Sequence, residues 1–392
     1  MTDRAKIDDE LFGGGPLLRW ERSLGLAKGS RPSAALRCGL AILVAWVPLA
    51  ILATAQFLIW GDESAKTFFS DFAVDARFLM AAPALIYAEQ ECIPRLGRIV
   101  NHFAESGLVI EADRARFAQA VSSTQRLLAS TIGDLVMLLL VYLGVTALAL
   151  YFSTAAVMPW HQRTLTGAFH LSLAGWWHVL VSLPLLLILL LSWLWRLALW
   201  SRFLFLMSRL DLHLIAGHPD GVGGLRFVAT SLRGLRFISF ALGAIVAGSI
   251  ANRQFHQGTE PLSFKNLVIG LMVFLVVLFA GPMTIFLKKL RETKRRGTFE
   301  YGGLARAVGI QFEAKWLRPG KLDESSLHAP DFSATTDLYS VVNNVYSMRE
   351  VPFTLRDLIG PIGVSAMLPF IPLALMAIPL EVILRGVVKL LF

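Results

Sequence analysis

Charge is what this chain has least of. Asp, Glu, Lys and Arg make up 17% of its 392 residues, where a soluble domain carries about 25%. The deficit is concentrated in apolar runs of roughly 20 residues, the length a helix needs to cross a ~30 Å hydrocarbon core. A soluble core would break into shorter, amphipathic stretches. Cysteine is nearly absent too. Cys38 and Cys92 are the only two, and no CxxC spacing exists, which excludes a disulfide framework and a zinc ribbon. No lysine follows a glycine-rich loop as in a P-loop, and GVGG at 221–224 is not GxGxxG, so a nucleotide fold is not indicated. No nucleophile–base pair can be read from spacing. No repeat divides the spans into two like halves, so an inverted-repeat transporter is not indicated either.

What is present is apolar residues, 55% of the chain, and a net charge of +9. In a soluble protein such a charge points to nucleic acid. Beside these runs it points to the Lys- and Arg-rich cytoplasmic loops of a membrane protein, and nucleic acid is not expected as a partner. The fold class expected is all-α: a polytopic membrane helix bundle with six full spans, a proline-broken C-terminal apolar segment, and cytoplasmic helices.

In order, residues 1–35 read as a cytoplasmic arm, with a short surface helix near 17–26. Spans 1 and 2 occupy 36–93. Ala53-Thr54-Ala55 resembles a signal-peptidase site, but the apolar run continues through Trp60, and the segment reads as a retained span. The second span is awkward. Its apolar centre, 78–88, holds 11 residues, flanked by Asp75 and Arg77 at one end and Glu89 and Glu91 at the other, where side chains can snorkel to the interface. Residues 94–130 read as a cytoplasmic helical segment. Spans 3–6 occupy 131–287, interrupted by a cytoplasmic loop at 211–225 and an external loop at 153–172. A cytoplasmic helical region follows at 288–357, with helices expected near 304–316 and 335–348. A C-terminal membrane segment, 358–392, is interrupted by Pro361, Pro369, Pro372 and Pro379.

The basic residues test this topology. With the N-terminus in the cytoplasm, 30 of the 37 lysines and arginines fall on cytoplasmic stretches and four (Lys66, Arg163, Arg253, Lys265) on the opposite side. The reverse orientation opposes the bias that sets membrane topology.

Three sets of residues carry candidate chemistry. The first lies in the 211–226 loop: Asp211, His213, His218, Asp220, Gly221, Gly223, Gly224 and Arg226. Imidazole and carboxylate suit a transition metal, for which His213, His218 and Asp220 are the candidate ligands. Glycines before a helix suit an anion such as a phosphorylated headgroup. The plainer reading, and the favoured one, is a turn in which Asp220 accepts backbone N–H bonds. The second set is the polar residues in or near spans: Asp75, Arg77, Asp134, His178 and Arg196. Ionisable groups in a membrane are costly and raise the question of function, although all but His178 lie within reach of an interface. His161, His170 and His178 on the external stretch form a weaker metal candidate. The third is the basic run of 288–296 (Lys288, Lys289, Arg291, Lys294, Arg295, Arg296), expected against anionic headgroups of membrane lipids.

Four pieces are similar to an uncharacterised bacterial inner-membrane family: DARFLMAAPALIYAE (75–89), SRLDLHLIAGHPDGVGGL (208–225), REVPF (349–353) and LPFIPLALMAIPLEVILRGVVKLLF (368–392). The HPDGVGGL piece is the most specific. The resemblance implies a bacterial plasma-membrane protein and supplies no activity, cofactor or catalytic residue. Passage of a small solute or ion, by a homo-oligomer, is the leading expectation. A membrane enzyme acting on a lipid or phosphorylated headgroup at the 211–226 loop, and a non-catalytic anchor or sensor for a cytoplasmic partner, are the alternatives.

Overall fold

The computed structural model describes residues 12–13, 33–61, 63–152, 159–165, 168–317 and 331–377. The surface helix expected at 17–26, the centre of the external loop (153–158), the loop at 318–330 and the tail from 378, with Pro379, lie outside them.

The described chain is a bundle of helices with one short hairpin. Helix α1 is Ala34–Trp60, interrupted by a turn residue at Trp46 and ended by Gly61, whose φ of 69° supplies the left-handed cap. Helix α2 is Ser64–Phe69. Helix α3, residues 72–105, opens on an Asp71 cap, passes through a π-helical stretch at Ala76–Ala81 and runs on as Ala82–Glu105. Helices α4 (Arg114–Leu128) and α5 (Thr131–Phe152) follow. The hairpin strands β1 (Gln162–Leu165) and β2 (Ala168–Leu171) pair with Arg163 opposite His170. Helix α6 is Leu173–Arg209 and α7 is Arg226–Gly234. Helix α8 is Arg236–Gln257, α9 is Leu262–Trp316, α10 is Asp331–Tyr346, and α11 is Leu355–Leu375.

Four of these helices (α1, α6, α9, α11) are long and apolar enough to cross a membrane, and up to six crossings result if the bent pairs α4–α5 (47°) and α7–α8 (42°) each count as one. Helix α3 is not among them, yet it is the hub, touching α1, α6, α7 and α8. Small residues let it come close: Ala73, Ala76, Ala81, Ala82, Ala84 and Ala88 are all buried. On α8, a Cβ at Gly248 would collide with Ala76, and one at Gly243 with the Ala366 carbonyl of α11. Such small-residue seams are how helices approach without a solvent-driven core.

The loops sort to two ends. At one end His256 Nε2 lies 3.0 Å from the Ser70 carbonyl, Trp160 Nε1 donates to Asp71 Oδ2 (3.1 Å), and the Ala174 amide donates to Gln56 Oε1 (2.9 Å). At the other, the Asp211 amide donates to Asp113 Oδ2 (2.6 Å), the His213 amide to the Leu108 carbonyl (2.8 Å), and Lys289 Nζ to the Leu210 carbonyl.

Two expectations about helices need correction. Residues 94–130 are not one helix: α3 runs to Glu105, a turn with Gly107 at φ 74° intervenes, and α4 starts afresh at Arg114. The helix expected near 304–316 starts earlier and takes in the basic run: α9 is helical through Leu287–Trp316, with Gly297 packed on Ala216 and Gly302 on the Tyr346 hydroxyl.

Candidate functional site

The 211–226 loop forms from two local causes. Alternation in LDLHLIA buries Leu212, Leu214 and Ala216 and leaves Asp211, His213 and Ile215 exposed, the period of an extended strand. Then His218-Pro219-Asp220-Gly221 turns, with Gly221, Gly223 and Gly224 at φ 69°, 66° and 96°, conformations that favour glycine. The turn folds around one carboxylate. Asp220 Oδ1 accepts from the amides of Val222 (2.9 Å) and Gly224 (3.1 Å), and Oδ2 from that of Arg226 (3.1 Å). His218 Nδ1 lies 2.9 Å from Asp220 Oδ1. Burial by itself would raise this carboxyl's pKa; the three amides and His218 outweigh it and hold it below the ordinary carboxylate range.

The amides of this loop thus converge on Asp220's own carboxylate, which is the turn reading of the loop. His213 donates its amide to Leu108 on the neighbouring loop, and its side chain is exposed. No group of three or more metal-ligating side chains occurs among the described residues. Arg349 seals the turn from outside, its amide donating to the Gly221 carbonyl (2.8 Å) and its guanidinium to the Asp220 carbonyl (3.1 Å). The HPDGVGGL and REVPF pieces, 124 positions apart between Leu225 and Arg349, thus meet in one latch. Asp357 closes the same corner: it caps Thr354 and lies 3.7 Å from Arg226.

The residues in and near the spans divide into two clusters on α3. At the hairpin end, Trp46 Nε1 donates to Asp75 Oδ1 (2.7 Å), and Arg77 is partly buried. His178 is buried between Phe78, Trp160 and His161, with ring centroids 5.7, 5.6 and 5.0 Å away. Its Nδ1 has no hydrogen-bond partner among the described residues. The second cluster was not foreseen. Arg196 is enclosed by the bundle: it is 2% exposed, and its guanidinium lies 2.8 Å from Glu89 Oε1. Glu89 is enclosed too. It is 3% exposed and its Oε2 lies 2.7 Å from Arg37, itself 7% exposed. Two guanidiniums share one carboxylate inside the bundle. A signal for this existed: Arg37, Glu89 and Arg196 all fall toward the cytoplasmic side of the spans expected from the sequence, and a buried charge demands an opposite partner at its own depth. Asp134 is partly exposed in the first turn of α5.

Between the clusters α3 is apolar. Phe78, Ala81, Ala82, Leu85 and Ala88 are all fully buried, and the 12 steps from Arg77 to Glu89 cover ~18 Å of helix. No family model matches the chain, and neither a curated protein nor a solved structure matches it.

On the far side of the latch, α9 leaves the bundle with α10 packed along it. Phe312 and Trp316 meet Phe332 (4.9 and 4.7 Å), and Lys315 pairs with Asp331. Beyond Gly297 no residue of α9 is buried. Phe299, Ile310 and Leu317 are all exposed. Their spacings of 11 and 7 residues return to one side of a helix at about 100° per residue, spread over ~27 Å with Gly303, Arg306 and Ala314 between them.

Proposed function

We propose that this chain is a multi-pass protein of a bacterial inner membrane, with a cytoplasmic N-terminus, that anchors a helical arm and presents it to a cytoplasmic protein. Three observations support membrane embedding. Large apolar side chains are exposed in rows, among them Ile51 and Phe57 on α1, Leu139 and Leu143 on α5, and Val273 and Val277 on α9. In water such rows would constitute a patch far beyond what monomers expose. Charged side chains are instead buried. The end bearing the latch and the basic run is also the end richest in Lys and Arg, which supports its placement in the cytoplasm.

The observation that carries the anchor reading is the stripe of Phe299, Ile310 and Leu317. Leu262–Trp316 runs for 55 residues, with a 3-10 stretch at Gly281–Phe286, about 80 Å in all, far more than the thickness of a hydrocarbon core, which favours an arm that continues beyond the bundle. A two-helix arm with three large apolar side chains uncovered on one side, and Arg306 among them, fits a partner that adds an amphipathic helix of its own. A photo-crosslinking residue at Ile310 should trap one discrete cytoplasmic protein, and Phe299→Ser with Leu317→Ser should abolish the adduct. An adduct of equal yield from Gln311, on another side of the helix, or no adduct at Ile310, rejects the reading. Trapping of a second copy would make the stripe an oligomer contact.

Passage of a small solute or ion is the second reading, favoured by the buried Arg37–Glu89–Arg196 cluster, since ionisable groups within a membrane often line a pathway. It ranks lower because the ~18 Å of apolar helix between the clusters offers a permeating ion no polar contact. Flux in proteoliposomes that falls with Asp75→Asn, Arg77→Ala and Glu89→Gln would reverse the order.

A further inference from the structure

A groove of about 650 Å³ runs along the bundle surface where α1, α3, α8 and α11 meet. Its walls include Cys38, Met80, Tyr87, Phe240 and Leu368, and Arg236 stands at its cytoplasmic end. The positions it follows on α3, Leu79 to Tyr87, span ~12 Å of helix axis, enough for about half of an acyl chain. Arg236 is the cation that gives the groove its direction. Its side chain is 48% exposed and 3.8 Å from Glu91, a carboxylate that Arg95 approaches more closely, at 3.3 Å. Its guanidinium also lies over the Phe237 ring, 4.7 Å from the centroid, which holds it beside the groove mouth. Arg236 begins α8, and a helix start adds favourable potential for an anion. An apolar trough that ends in a guanidinium at the cytoplasmic level has the polarity of one lipid: tail along the helices, phosphate at the mouth.

We propose that this groove binds an anionic phospholipid, with one acyl chain against Met80, Phe240 and Leu368 and the phosphate paired to Arg236. The site rests on the membrane reading above and is separate from the basic run on α9, which attracts headgroups without a groove.

Cys38 provides a direct readout. It is partly exposed on the groove wall, whereas Cys92, the other cysteine, is fully buried. In the detergent-purified full chain, maleimide labelling of Cys38 should slow severalfold on adding phosphatidylglycerol. Phosphatidylcholine with the same chains, and glycerol phosphate without chains, should protect far less. Arg236→Gln should raise the phosphatidylglycerol concentration for half-protection roughly tenfold, the effect of losing one charge-assisted bond. Leu368→Trp, filling the trough, should abolish protection. Arg236→Gln should label at the wild-type rate without lipid, which checks its folding, and Leu368→Trp should keep the parent's helical circular dichroism. Replacing Lys294, Arg295 and Arg296 by Gln should leave protection unchanged. Equal protection by both phospholipids, protection by glycerol phosphate alone, or a Cys38 unreactive even after delipidation, as when another segment of the chain covers the groove, would overturn the proposal. A chain that stays monodisperse without detergent would overturn the membrane reading instead.

Discussion

Helix α3 and the Lys265–Ala280 part of α9 invert the arrangement expected in water. Helix α3 carries Asp75, Arg77, Glu89 and Glu91 and lies at the centre, with Glu89 shielded on every side. Lys265–Ala280 has no charge after its first residue and lies at the edge. It buries one seam, Leu271, Leu275 and Phe279, while Leu267, Ile269, Val273, Phe274, Val276 and Val277 remain exposed. A bundle whose interior is more polar than its exterior fits surroundings less polar than protein, as the proposed membrane setting supplies. The difference teaches that apolarity here marks the outside of the bundle, and that the least apolar of these helices is the one most surrounded by others.

The largest expected effect tests the polar half of that comparison. Glu89→Gln leaves Arg37 and Arg196 without their shared carboxylate. Removing one member of a buried ionic group costs about 3–5 kcal/mol, so purified protein should unfold at markedly lower temperature, followed by circular dichroism. The triple replacement Arg37→Met, Glu89→Leu, Arg196→Met should be milder than the single change, because an apolar trio strands no charge. A Glu89→Gln variant as stable as the parent would mean that water reaches the cluster.

Val277→Lys tests the apolar half. Val277 is 64% exposed. If lipid covers it, a lysine near mid-span costs about 2.5–3.5 kcal/mol; facing water, a surface change stays within about 0.5 kcal/mol. The membrane-inserted fraction of Val277→Lys, set against Phe299→Lys on the arm, distinguishes the two.

Much of this contrast is legible in the amino acids, and its centre is not. Runs such as LVIGLMVFLVVLFA declare their length and apolarity directly. The turn at Asp220 is legible too, because Asp-Gly with two further glycines admits few backbone paths. Helix α3 hides because an apolar centre of 11 residues looks too short, and what compensates its charges is on other helices: Arg37 lies 52 positions before Glu89 and Arg196 lies 107 after it. Pairing at such separations is set by packing, which no local pattern reports. Gly297 and Gly302 mislead in the opposite way, since a glycine that breaks an exposed helix and a glycine that admits a neighbour look alike in one sequence.

Two glycines extend the comparison at smaller cost. Gly243 of α8 meets the Ala366 carbonyl, whereas Gly270 of α9 has nothing within 4 Å of an added Cβ. Gly243→Ala should destabilise by about 1–3 kcal/mol through overpacking. Gly270→Ala should stabilise by roughly 0.5–1 kcal/mol through helix propensity. Effects of the same sign in thermal unfolding would remove the distinction between a packed and an open helix face.

The smallest expected effect comes from the latch, where a partly buried charge is held by backbone amides in place of arginines. Asn at position 220 keeps one acceptor oxygen, so Asp220→Asn should cost about 1 kcal/mol, the loss of part of a charge-assisted set. The sign with pH follows from linkage. Asp220 titrates lower in the folded chain than in the unfolded one, where an aspartate sits near about 3.9. Its contribution is therefore complete above that unfolded value and fades as pH falls through the lower folded one. The stability difference between parent and Asp220→Asn should be constant from neutral pH down to mildly acidic conditions and close only in strong acid. A difference that already changed between neutral and mildly acidic pH would show that something other than the three amides holds the carboxylate.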